Sequence, residues 1–261
     1  MRSVDLLGVR VDVVSMDDVL RWIDERLAAG LGGFLNTLNT NLLLNVDRYQ
    51  GMRRLFNEND LNVADGVPLQ WMARLRGVRL AGRVCGTDIV YRLCQLASQR
   101  GYRLFLLGAR EEVARGAAAA LDAAHPGLAL AGTYSPPFQD EWDDAENARI
   151  VERIVNARAN VVLVAFGFPK QEYWIQRHKE RVPGCVFINV GGAFDVAAGV
   201  RRRAPRWMQR YGLEWVWRII QEPRRLLWRY LRDGLCLAPR LMQWLWTARR
   251  SREHSWGAGR P

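Results

Sequence analysis

The chain has 261 residues, of which 49% are hydrophobic and 25% charged, with a formal net charge of +11. That balance excludes a disordered polar chain and is enough for a sizeable buried core, in one large domain with an appendage or in two small domains. No stretch approaches the roughly 20 apolar residues of a membrane-spanning helix, and Met1-Arg2-Ser3-Val4-Asp5 lacks an apolar signal-peptide core, so export is not expected.

In chain order, residues 9–14 read as a strand, and Ser15 caps a helix with Asp17 and Asp18 in its first turn. Residues 33–37 form a second strand, with a helix from about Thr40. Residues 61–64 form a short strand ending at Asp65-Gly66. Thr87 and Asp88 open a helix reaching about Arg100. Residues 103–107 form a strand that ends in Gly108 and leads into an alanine-rich helix. Residues 128–133, 161–166 and 186–190 are further apolar, β-branched runs that end in turns or glycines. The rhythm predicts an α/β fold, Rossmann-like, with a mainly parallel sheet and flanking helices. In such sheets ligands bind beyond the carboxyl ends of the strands.

From Arg203 the character changes. Residues 201–261 hold fifteen arginines, no lysine, four acids and seven of the eleven tryptophans, so the whole excess charge lies there; residues 1–200 carry 23 basic and 23 acidic side chains. We expect residues 1–200 to form the catalytic domain and residues 201–261 a basic, tryptophan-rich helical appendage. Arg218, Arg225, Arg229 and Arg232 fall on one helical face, and Pro223 kinks that helix or starts a second one. An anionic partner follows: phospholipid, nucleic acid or diphosphate.

Absences narrow the chemistry. The three histidines are far apart, no D-x-D pair follows a strand, and no G-x-S-x-G, Walker or full G-x-G-x-x-G signature is present. The four cysteines form no CxxC pair and read as buried, reduced thiols. Asp65, at a strand end between apolar neighbours, suits a general base, and equally suits an Asp-Gly turn. Thr37 and Asn39 suit sugar hydroxyls or a helix N-cap. Gly167 and Lys170 in Gly167-Phe168-Pro169-Lys170-Gln171-Glu172, Gly191 and Gly192 before Asp195, and Gly108 stand where helix-start N–H groups receive phosphate, with Asp195 a ribose partner.

The order Thr37-x-Asn39, Asp65-Gly66, Arg83-Val84-x-Gly86-x-Asp88, Gly167-x-Pro169-Lys170-Gln171-Glu172, Gly191-Gly192-x-Phe194-Asp195, Arg203-Ala204-Pro205 and Leu213-Glu214-Trp215 resembles the WecG/TagA/CpsF glycosyltransferases over about residues 5–232. The resemblance implies an inverting transfer from a UDP-sugar to a polyprenyl-diphosphate-linked sugar, without metal or other cofactor. It implies that Asp65 is the base, that Thr37, Asn39, Arg83 and Gln171 line the sugar or diphosphate site, and that Asp195 lies near the nucleoside. Arg218 and Arg225 match arginines with which family appendages complete the site at the membrane. A cytoplasmic protein, peripheral at the inner face of the cell membrane, is therefore expected. Self-association stays open. The competing readings are a nucleic-acid-binding protein using the Arg/Trp-rich tail and a non-catalytic subunit of a polysaccharide assembly.

Overall fold

The structure, a computed structural model, describes residues 1–211 and 213–224, together with residues 228, 235, 242 and 244. It opens with an antiparallel hairpin, β1 (Ser3–Leu6) and β2 (Val9–Asp12). Of these the sequence pattern indicated only β2; β1 alternates, but over only four residues at the chain start, and its pairing with β2 is what makes it a strand. Next come α1 (Met16–Ala28), β3 (Gly33–Leu38), α2 (Thr40–Asn45), α3 (Met52–Glu58), β4 (Leu61–Ala64), α4 (Val67–Leu75) and α5 (Gly86–Arg100). They are followed by β5 (Arg103–Gly108), α6 (Glu111–Ala124), β6 (Ala129–Tyr134), α7 (Asp144–Asn156), β7 (Val161–Ala165), α8 (Lys170–His178), β8 (Val186–Asn189) and α9 (Ala193–Ala197). Two short helices, α10 (Arg206–Arg210) and α11 (Glu214–Gln221), follow. The rest of the basic stripe, including Arg225, Arg229 and Arg232, lies outside the described residues.

Local signals set several boundaries. Ser15 makes a full capping box at the start of α1: its hydroxyl accepts from the Asp18 N–H while Asp18 accepts from the Ser15 N–H. Asp143 caps α7 by accepting from the Glu146 N–H. Helix α11 stops two residues before Pro223, as the ring requires.

The six main strands form one parallel sheet in the order β4-β3-β8-β7-β5-β6. Alternation along each strand divides the core into two apolar layers. Phe34, Leu38, Phe105, Leu107, Val162, Val164 and Phe187 meet α2, α3, α4, α7 and α8 on one face. Leu35, Leu104, Leu106, Leu163 and Ile188 meet α1, α5, α6 and α9 on the other. After β3 the chain turns into α2 on the first face, and after the neighbouring β8 it turns into α9 on the second. The two connections diverge and leave a crevice above the carboxyl ends of β3 and β8, where doubly wound sheets bind ligands.

Candidate active site

Asp65 lies one residue beyond β4, its N–H bonded to the Leu38 carbonyl at 2.6 Å. Gly66 follows at φ +120°, where a side chain is strained, and lets the chain turn sharply into α4 with Pro68 in its first turn. The Asp65 carboxylate is therefore fixed at the crevice by a short backbone turn. Burial pushes its pKa up; the Arg218 and Arg83 charges pull it down, and Glu214 and Asp88 push it up again, leaving it at about 6. A carboxylate so poised is ionised at neutral pH and still a competent proton acceptor.

Arg83 stands beside it. Its guanidinium pairs with Glu214, from the start of α11, and with Asp88, in the first turn of α5, at 3.4 Å. Arg203 pairs with the same two acids. Desolvation raises the Asp88 carboxyl, but hydrogen bonds from the Cys85 thiol and Arg203 outweigh it and hold the group below the usual range. The structure thus gathers Asp65, Arg83 and Arg218, which are far apart in sequence. It adds Asp88, Arg203 and Glu214, to which the sequence pattern assigned no place in the site although all three lie within its motifs. A small cleft next to them is lined by Thr87, Gly192, Arg201, Arg203, Trp217 and Arg218.

Thr37 ends β3 with both polar groups engaged. Its N–H donates to Asn189 Oδ1 at 2.6 Å and its hydroxyl to the Asn189 carbonyl at 2.9 Å. Asn39 caps α2, accepting from the Leu42 N–H. Asn189 joins a buried polar ladder across the sheet. Its Nδ2 donates to Asn36 at 2.6 Å, and Asn36 donates to Asn62, its register partner on β4. The Asn62 N–H in turn donates to Asp12 on β2. The ladder is invisible in the sequence, because single asparagines inside apolar strands reveal their partners only when register is known.

The same Asn189 amide donates to Glu172 Oε1 at 2.8 Å, and Gln171 Nε2 donates to that oxygen at 2.8 Å. The Gly167 N–H completes the chain by donating to Gln171 Oε1. Gln171 is thus buried, with the oxygen of its amide holding the Gly167 turn and the nitrogen holding Glu172. Glu172 is fully buried, and its Oε2 has no hydrogen-bond partner among the described residues. Burial pushes its pKa up to about 7 against the hydrogen bonds from Gln171 and Asn189.

The remaining residues group differently. Gly108 takes φ +99°, and a Cβ there would lie 2.8 Å from the Ala165 backbone, so β5 and β7 can approach only with glycine at this place. Lys170 donates to the Gln139 carbonyl and lies 3.2 Å over the Trp142 ring, turned towards the loop that precedes α7. Gly191 and Gly192 form the turn from β8 into α9, while Asp195 faces Arg201 at 3.9 Å. Arg201 is bonded to Glu222 at 2.6 Å. Gly108 and Lys170 therefore stand over β5 and β7, apart from the Asp65 cluster. Arg225 lies outside the described residues. Among the described residues, no three His, Cys, Asp or Glu side chains gather as metal ligands.

A model of the glycosyl transferase WecG/TagA/CpsF family matches residues 4–251. The chain is 30% identical to an N-acetylglucosaminyldiphosphoundecaprenol N-acetyl-beta-D-mannosaminyltransferase of Bacillus subtilis (strain 168), over 86% of this chain and 83% of that protein. Proteins of the same name from Staphylococcus aureus strains MW2 and NCTC 8325 / PS 47 are 29% identical, over 86% of this chain and 87% of each. With the family match running over nearly the whole length, the chain belongs to the WecG/TagA/CpsF family of glycosyltransferases.

Proposed function

We propose that the protein transfers N-acetylmannosamine, or a related hexose, from a UDP-sugar to N-acetylglucosamine carried on polyprenyl diphosphate. The observation that carries this reading is Asp65, a desolvated carboxylate with a pKa near 6, flanked by Arg83 and Arg218 at the carboxyl end of a parallel strand. The names of the relatives supply the acceptor and the sugar moved.

In the reaction, an Asp65 oxygen takes the proton of the acceptor hydroxyl. The hydroxyl oxygen forms its bond to the anomeric carbon from the face opposite the leaving group. The bond from that carbon to the β-phosphate oxygen breaks, and UDP departs with the electron pair. A single displacement of this kind inverts the anomeric centre. Charge growing on the diphosphate is met by the guanidinium groups of Arg83 and Arg218, with Arg225 in the same role. Thr37 and Asn39 face the sugar, and Gln171 acts by holding the Gly167 turn. The helix starts at Gly108, Gly167 with Lys170, and Gly191-Gly192, together with Asp195, bind the nucleotide.

We place the protein at the inner surface of the cell membrane. No helix among the described residues is long and apolar enough to cross a membrane. Trp207, Tyr211, Trp215 and Ile220 are exposed on α10, α11 and the turn between them, within a segment rich in arginine. Aromatic rings at the interface and about 1 kcal/mol per basic residue near anionic lipid support reversible attachment. Asp65→Asn is the test: transfer to the lipid-linked acceptor is lost while UDP still binds by calorimetry. Full activity in that variant overturns the assignment.

A further inference from the structure

Helix α11 brings Arg218 to Asp65, yet little apolar burial holds it there. None of its side chains is fully buried, and Trp215 and Ile220 are 43% and 61% exposed. Eight residues are too few for a helix to persist by its own hydrogen bonds. Beyond the half-buried Val216, Trp217 and Ile219, its placement depends on polar ties. Near its C-terminal end, Trp217 Nε1 and Gln221 Nε2 both donate to the Arg202 carbonyl at 3.0 Å, and Glu222 holds Arg201. Those ties join α11 to the loop just before α10, and through Arg201, whose N–H donates to the Asp195 carbonyl at 2.9 Å, they reach only the edge of α9. Glu214, at the first residue of α11, reaches across 131 positions to Arg83, and with Arg203 and Asp88 it closes a four-membered ion-pair network. The four side chains are between 17% and 30% exposed, so solvent screens them less than an ordinary surface pair.

We infer that Glu214 is a positioning residue: by pairing with Arg83 and Arg203 it docks α11 on the sheet domain and so sets Arg218 beside Asp65. Glu214 and Arg218 are four residues apart on one helical face, so anchoring the first fixes where the second points. The network also unites Asp88, Arg203 and Glu214 in one structural role, as the polar joint between body and appendage. The inference rests on the proposed reaction for its kinetic consequence, though not for the docking itself.

The experiment uses the full chain with Glu214→Ala, Glu214→Asp, Arg218→Ala and the double variant Glu214→Ala/Arg218→Ala. Hydrogen exchange of the amides of residues 216–221 is followed without substrate. Transfer is then measured from UDP-N-acetylmannosamine to N-acetylglucosaminyl-diphospho-polyprenol. In Glu214→Ala the α11 amides should exchange about tenfold to a hundredfold faster, as expected for loss of a charge-assisted pair. Its kcat should fall about as far as in Arg218→Ala, and the double variant should be little worse than either. Glu214→Asp, which keeps the charge, should regain most of the protection. Arg203→Met should also loosen α11, which a simple helix-end charge effect at Glu214 would not cause. Wild-type exchange of α11 in Glu214→Ala, or losses in kcat that multiply in the double variant, would overturn the inference. If the wild-type protein transfers no sugar, the proposed reaction fails, while the exchange measurements still decide whether Glu214 docks the helix.

Discussion

Glu172→Gln isolates the energetics of the buried ladder. The Glu172 carboxyl is fully buried, with a pKa raised from 4.5 to about 7. Because the folded form binds the proton more tightly than the unfolded chain, Glu172 favours folding least where it must be ionised. Stability is fully present below the unfolded value of 4.5 and is lost as pH rises through the folded value of about 7. Integrating the proton-binding difference between pH 5 and pH 8 gives a loss of about 2.5 kcal/mol from this one group. A glutamine keeps an oxygen to accept from Gln171 and Asn189 but cannot ionise, so that loss disappears. Its new amide hydrogens, set where Oε2 lacked a partner, add an offset of about 1–3 kcal/mol that is the same at every pH. The sharp prediction is therefore the slope. The difference in Tm between Glu172→Gln and wild type should move in favour of the variant by about 5–10 °C from pH 5 to pH 8, at about 2–4 °C per kcal/mol for a chain of this size. Thermal unfolding followed by circular dichroism at four pH values measures it. Parallel Tm curves for the two proteins would refute the reasoning, because they would mean that Glu172 titrates alike folded and unfolded.

Asp65 gives a kinetic counterpart. With its pKa at about 6 and the ionised form active, kcat/KM for transfer should rise about tenfold per pH unit below pH 6 and level off above it; an acidic limb near pH 4 would contradict the desolvated base. Gly108→Ala should lower stability by about 1–3 kcal/mol or more in thermal or urea unfolding, since it combines φ +99° with a Cβ 2.8 Å from the Ala165 backbone; an unchanged midpoint would mean that β5 and β7 separate freely there.

Much of the fold was legible in the residues. The strand starting at Gly33, the strand over residues 61–64 and the alternation of apolar runs with capped helices gave the parallel α/β architecture, because each signal is local: a cap acts over about three residues and a strand pattern over about five. β1 was not legible, because four residues acquire meaning only from pairing with β2. The site divides in the same way. Asp65, Thr37 and Asn39 could be named from motifs, and their strand-end positions follow from the strand pattern; Arg83 could be named from its motif, but its place in the loop before α5 puts it near Asp65 only in the fold.

The sequence by itself determined the family, the α/β class, the neutrality of residues 1–200 and the concentration of charge in the last quarter. Those are properties of composition and order, and they need no third dimension. Only the tertiary structure decided that Gln171 faces inward, that Asn36, Asn62 and Asn189 form one ladder with Glu172, and that Glu214 lies on Arg83. Each of these depends on contacts between residues dozens to more than a hundred positions apart, set by strand order and register. The same long-range placement is what desolvates Asp65 and brings Arg218 to it, so the chemistry of the carboxylate belongs to the fold while its identity belongs to the chain.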